Sequence, residues 1–252
     1  MKIAALQHDI VWENRDANLA RLEPQVTAAA GAGARLVILC EVFATGFSMD
    51  SSRTSEPIDG PTVRWMKERA AEHGIWIAGS LPLQGEEGPL PTNSLLVIGA
   101  DGVTFRYDKL HPFTYAGEHE RFVPGRDPRV IVSIEGVRLG LTVCYDLRFA
   151  DQYWAMAPDV DAYIVIANWP SSRRHHWRKL IDARAIENQA YVIGVNRVGK
   201  GGGLEYSGDS RIVSPSGELL ASAAHNETML LANIDPELVR TTRAKFPFLQ
   251  DR

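Results

Sequence analysis

The chain has 252 residues, 45% of them hydrophobic and 23% charged, with a formal net charge of −4. That length suits one large α/β domain or two small ones, with enough apolar content to bury a sizeable core. The slight acidity offers no global positive field to nucleic acid or an anionic membrane, no apolar run approaches the roughly 20 residues of a membrane span, and two cysteines are too few for a disulfide framework.

The opening segment MKIAALQHDI carries one Lys and a short apolar run with no small-residue cleavage site behind it. It reads as a first strand over residues 3–7 rather than a signal peptide. Leu19, Leu22, Val26, Ala29 and Ala30 then share one helical face, and a strand follows over 36–39. Pro61 suits a first helical turn, with Val63, Met66 and Ala70 behind it. Apolar or alternating runs over 75–79, 95–98, 103–107, 130–134 and 139–143 read as strands. The segment YDLRFADQYWAMA after Cys144 begins a helix. A strand over 163–167, a stripe of Trp177, Leu180, Ile181 and Ala185 after the caps Ser171 and Ser172, and a strand over 191–195 form a βαβ-like unit. Strands over 211–214 and 229–232 follow, and Asp235-Pro236-Glu237 starts a last helix.

Eleven strands exceed a comfortable single open sheet, and their continuous apolar character requires cover on both faces. Two packed sheets with helices outside satisfy every buried surface. With no internal repeat, linker or low-complexity tract, residues 1–252 read as one domain, and the free thiols point to a reducing, cytoplasmic setting.

Cys144 sits at the end of an apolar strand in LTVCYDLRF. Free Cys is a common core residue, so a buried structural thiol stands beside a nucleophile as a reading. A helix starting here lowers a thiol pKa, and the Tyr145 N–H is placed for an oxyanion. Glu41 follows the apolar run LVIL in CEVFATGF, and Lys109 ends another strand in RYDKLHPF. Singly, each is an ordinary surface charge. GKGGG, residues 199–203, lacks the order of a phosphate-binding loop and reads as a flexible loop. Adjacent histidines in RRHH point apart on a helix, which makes that segment solvated or entrance-lining. His111, His119 and His225 have no metal-like spacing.

Taken together, E-x-F-x-T-G-F at Glu41, D-K-x-H at Lys109 and C-Y-D-x-R-F at Cys144 resemble the nitrilase, or carbon–nitrogen hydrolase, superfamily, whose members use a Glu–Lys–Cys triad. YDKLHPF, AGEHERFVPG, CYDLRF, ANWP, ARAIENQAYV and NRVG are most similar to its omega-amidase branch. The resemblance runs from IAALQ to the C-terminal KFPFLQDR. One departure is Cys40, where the family has Pro before the catalytic Glu; it frees φ, restores an N–H and places a second thiol beside the site, a change expected to be tolerated.

The resemblance implies a four-layer αββα sandwich, a homodimer or larger homo-oligomer, and an amidase needing no metal or organic cofactor. In the implied mechanism Glu41 is the base, Cys144 the nucleophile, and Lys109 with the Tyr145 N–H the oxyanion site. Glu118, six residues before Pro124, is the implied second active-site Glu, leaving Glu120 solvated. The implied substrates are monoamides of short dicarboxylates such as 2-oxoglutaramate, whose free carboxylate needs a cation. Arg148, Arg173 and Arg174 are candidates, an ordinary ion pair being the alternative for each. Trp169, Phe113 and Tyr115 are candidates for the apolar wall, with plain packing as the alternative. N-carbamoyl or other small amides are a rival substrate class, and a non-catalytic binding protein on the same fold is a rival of another kind.

Overall fold

In a computed structural model describing residues 1–85 and 88–251, strands and helices alternate in two halves. The first half supplies β1 (Lys2–Gln7), α1 (Arg15–Gly31), β2 (Leu36–Ile38), α2 (Ser51–Thr54), α3 (Pro61–His73), β3 (Trp76–Leu83), β4 (Thr92–Ile98) and β5 (Thr104–Asp108). The second supplies β6 (Ile131–Ile134), β7 (Val137–Val143), α4 (Ala150–Met156), β8 (Ala162–Ala167), α5 (Arg174–Asn188), β9 (Tyr191–Asn196), β10 (Val198–Gly201), β11 (Leu204–Val213), β12 (Leu219–Ala224), β13 (Thr228–Asn233) and α6 (Pro236–Lys245). Arg252, the last residue of the C-terminal match, lies outside the described residues.

One sheet runs β13-β1-β2-β3-β4-β5. The other runs β10-β11-β9-β8-β7-β6, with β12 paired to β11. Helices α1 and α3 pack together against the first sheet, and α4 and α5 cover the second. The result is a four-layer αββα sandwich, the architecture that the resemblance implies. The alternation of a strand explains how one apolar run serves two layers. In β8, Ile164 and Ile166 join the core between the sheets, whereas Tyr163, Val165 and Ala167 pack with Trp177, Ile181 and Ala185 of the helical layer. All six β8 residues are buried, which is why its sequence is apolar without a break.

Local signals set the helix ends. Asp235 accepts from the Glu237 N–H at 3.0 Å, and Pro61 opens α3, whose C-terminal Gly74 has φ +63°. No helix among the described residues is long and apolar enough to cross a membrane.

Three expectations change. Residues 198–213 form a hairpin of β10 and β11, so GKGGG is not a flexible loop; Val198 to Gly201 pair in register with Ser207 to Leu204. With β12 this raises the strands from eleven to thirteen among the described residues. Ser171 and Ser172 lie in a 3₁₀ turn, Ser171–Arg173, and α5 begins at Arg174 without a side-chain cap.

Candidate active site

The carboxyl ends of strands from both sheets meet at one place. β7, β8 and β9 are parallel and adjacent, so Cys144, Asn168 and Asn196 emerge side by side. From the first sheet, Glu41 follows β2 and Lys109 follows β5.

The backbone is strained at both reacting groups. Cys144 has φ +50°, and Val42, directly after Glu41, has φ +41°, which is costly for a β-branched residue. Such conformations persist where the surroundings over-determine them. The Val42 N–H donates to Ser80 Oγ at 2.8 Å, and its carbonyl accepts from the N–H groups of Thr45 at 3.1 Å and Gly46 at 2.8 Å. Asp146 does the same for the nucleophile turn. Its buried carboxylate accepts from the Val143 N–H at 2.9 Å, Tyr107 Oη at 2.7 Å, and His111 N and Nδ1 at 3.0 and 2.8 Å.

Glu41, Lys109 and Glu118 are buried, and Lys109 bridges the two carboxylates. Lys109 Nζ donates to Glu41 Oε1 at 3.1 Å and to both Glu118 oxygens at 2.9 and 2.8 Å. Asn93 Nδ2 donates to Glu41 Oε1 at 2.9 Å. Asn168 donates twice, from its backbone N–H to Glu41 Oε2 at 2.8 Å and from Nδ2 to the Glu41 carbonyl at 2.5 Å. The Phe113 N–H donates to Glu118 Oε2. The Cys144 thiol lies within electrostatic reach of the Glu41 carboxylate, Lys109 and Glu118. Glu120, the rival to Glu118, is exposed.

These contacts fix the charge states. Burial first, then the nearby Glu41 carboxylate, pushes the Cys144 thiol well above its ordinary range, with Lys109 opposing. The expected lowering at a helix N-terminus is therefore corrected. The segment Cys144–Arg148 is a short 3₁₀ turn rather than a long helix, and desolvation outweighs it. Burial also works against the Lys109 ammonium, but Glu118 and Glu41 outweigh it and hold Lys109 above its ordinary range. Lys109 is thus a fixed cation and a poor base. The Glu118 carboxyl is raised, by burial and by Glu41, against the pull of Lys109.

Cys40 is buried beneath this cluster. Its Sγ lies 3.3 Å from His8 Nε2, while His8 Nδ1 lies 3.0 Å from the Leu6 carbonyl. The carbonyl can only accept, so Nδ1 carries the proton and Nε2 accepts from the thiol. Burial lowers the His8 pKa to about 4 and raises that of Cys40, leaving both neutral. Without the proline, the Glu41 carboxylate is held in place by Asn93, Lys109 and Asn168.

A cavity of about 330 Å³ opens onto Cys144, with walls that include Trp12, Phe47, Phe113, Tyr145, Trp169 and Tyr206. Arg148 and Arg173 also line it. Arg148 lies 4.8 Å over the Trp169 ring and 3.3 Å from His176 Nδ1, and Arg173 lies 5.4 Å over the Phe113 ring. Neither has a carboxylate partner among the described residues, whereas Arg174 is clamped by Asp209 at 2.7 and 2.9 Å. Tyr115 does not join the wall. It is 87% exposed and outside the cavity lining, with its ring 5.8 Å from that of Phe113. Sequence reasoning overlooked Asn93, Asn168, Asp146 and Trp12. The second and third lie inside the motifs ANWP and CYDLRF, and their position beside the charged residues was the available signal.

Residues 2–244 match the carbon–nitrogen hydrolase family. The chain is 41% identical to omega-amidase YafV of Escherichia coli strain K12, covering 100% of this chain and 96% of that one. It is 34% identical to a 2-oxoglutaramate amidase of Paenarthrobacter nicotinovorans over 87% and 78% of the two chains. Among solved structures, XC1258 of Xanthomonas campestris, a CN-hydrolase superfamily protein with an arsenic adduct in its active site, superposes with a TM-score of 0.94 at 36% identity, covering 100% of this chain and 97% of that one.

Proposed function

The chain belongs to the carbon–nitrogen hydrolase family, and from that premise we propose that it hydrolyses the terminal amide of small carboxylate-bearing monoamides, 2-oxoglutaramate among them, to the acid and ammonia. One observation carries the substrate class: beside the buried cluster, two guanidinium groups line the cavity with no carboxylate of the described chain to neutralise them. The names of the E. coli and Paenarthrobacter relatives agree with it.

The raised thiol pKa dictates the first step. Cys144 rests as a thiol, so the neighbouring Glu41 carboxylate takes the proton as sulfur attacks the amide carbon. The carbonyl oxygen becomes an oxyanion held by the Lys109 ammonium and the Tyr145 N–H, which lies in the first turn of the 3₁₀ segment and has no intrahelical partner. Glu41 returns the proton to the nitrogen, the carbon–nitrogen bond breaks and ammonia leaves a Cys144 thioester. Water then attacks with Glu41 as base, the carbon–sulfur bond breaks, and the thiol is restored with release of the carboxylic acid. Glu118 fixes Lys109 through two short bonds. The two free thiols fit a reducing compartment, and we place the enzyme in the cytoplasm.

The test is intact mass after brief incubation with a slow amide or ester, with peptide mapping of the adduct. An acyl group on Cys144, absent in Cys144→Ala, is expected; an adduct on Cys40 would overturn the assignment. Faster ammonia release from an N-carbamoyl amino acid than from 2-oxoglutaramate would refute the substrate class.

A further inference from the structure

The glycine run at the tip of the β10–β11 hairpin has a specific neighbour. Trp12, from the loop between β1 and α1, lays its six-membered ring against backbone from two separate segments. A methyl group added at Gly46 would lie 2.9 Å from Trp12 Cε3, one at Gly201 2.8 Å from the same atom, and one at Gly202 2.6 Å from Cη2. Real side-chain carbons do not approach so closely, so a side chain at any of these positions displaces the indole or is displaced by it. Gly46 and Gly202 also have φ +79° and +56°. The ring's other surroundings include the cavity, which Trp12 and Gly202 both line.

We propose that Trp12, seated on Gly46, Gly201 and Gly202, is the wall that sets the length of acyl chain the cavity accepts. The inference rests on the reading above, in which the amide carbon meets Cys144 and the far carboxylate meets Arg148 and Arg173. The acyl chain then lies within a cavity of about 330 Å³, at the small end for ligand sites. A flexible wall would yield to an extra methylene. A ring backed by main chain does not, because moving it requires moving the Glu41 loop or the hairpin. Discrimination of about tenfold or more per methylene is what such a wall delivers.

The test measures kcat/KM for the straight-chain monoamides of the four-, five-, six- and eight-carbon dicarboxylic acids with wild type, Trp12→Ala and Gly202→Ala. In the wild type, activity falls about tenfold or more beyond the preferred length. Trp12→Ala raises the ratio of eight- to five-carbon activity about tenfold or more. Gly202→Ala, whose added methyl has three Trp12 ring atoms as its nearest neighbours, pushes the ring inward and shifts preference toward four carbons. It also serves if Trp12→Ala fails to fold. Length profiles unchanged in both variants, with all four substrates depressed by one common factor, overturn the inference and leave the amidase reading intact. A wild type inert on all four overturns both.

Discussion

The neck of the site and its outer cavity handle charge in opposite ways. In the neck, one ammonium and two carboxylates are buried and bonded to each other and to Asn93, Asn168 and the Phe113 N–H. In the cavity, Arg148 and Arg173 rest on aromatic rings without a carboxylate. Buried charge is tolerated only when paired, so the neck is complete before substrate arrives. The cavity is completed by the substrate's own charge. Chemistry is thus preorganised, and selection is left to the ligand.

Perturbing each region separates these roles. Glu118→Gln removes one of the two carboxylates that fix Lys109, and kcat is expected to fall on the order of 10²–10³-fold with little change in KM; steady-state kinetics with unchanged kcat would break the picture of a preset neck. Next is His8, beneath Glu41. Its folded pKa of about 4 lies below the ordinary 6.5, so the neutral ring's contribution is complete above pH 6.5 and is lost as pH falls toward 4. Roughly 3 kcal/mol of stability disappears across that window. Urea melts at pH 7 and 4.5 should show the loss, and His8→Gln should flatten it. Arg148→Met and Arg173→Met are each expected to raise KM about tenfold for a carboxylate-bearing monoamide, with a smaller effect on a neutral amide. Equal effects on both substrates would erase the contrast between neck and cavity. Tyr115→Ala, outside the cavity, should leave kcat/KM within about twofold, since exposed substitutions rarely matter.

Glu41, Lys109 and Cys144 were legible at strand ends once their three motifs were taken together, and Glu118, in a 3₁₀ turn, only through its spacing from Pro124 in the family resemblance. The amides were not. Asn93 and Asn168 lie 52 and 127 residues from Glu41, and an uncharged side chain leaves no mark of so distant a partner. The fold followed from apolar runs such as β8, but β10 and β12 did not. β12, LLASAA, has a weak pattern of small residues, and the glycines of β10 look like loop until their cross-strand ladder is seen. The thiol expectation failed for a quantitative reason: a five-residue 3₁₀ turn offers little dipole, and burial dominates.

Glu41, Asn93 and Lys109 come from one sheet, Cys144 and Asn168 from the other. Neither half owns a complete site. Catalytic activity is therefore a gauge of tertiary order in this molecule. A loosened state that kept both sheets but let them slide apart would retain its far-ultraviolet circular dichroism and lose all turnover. Along a denaturant titration, the rate should vanish no later than the spectrum, and any gap between the two curves would measure how independently the halves can exist.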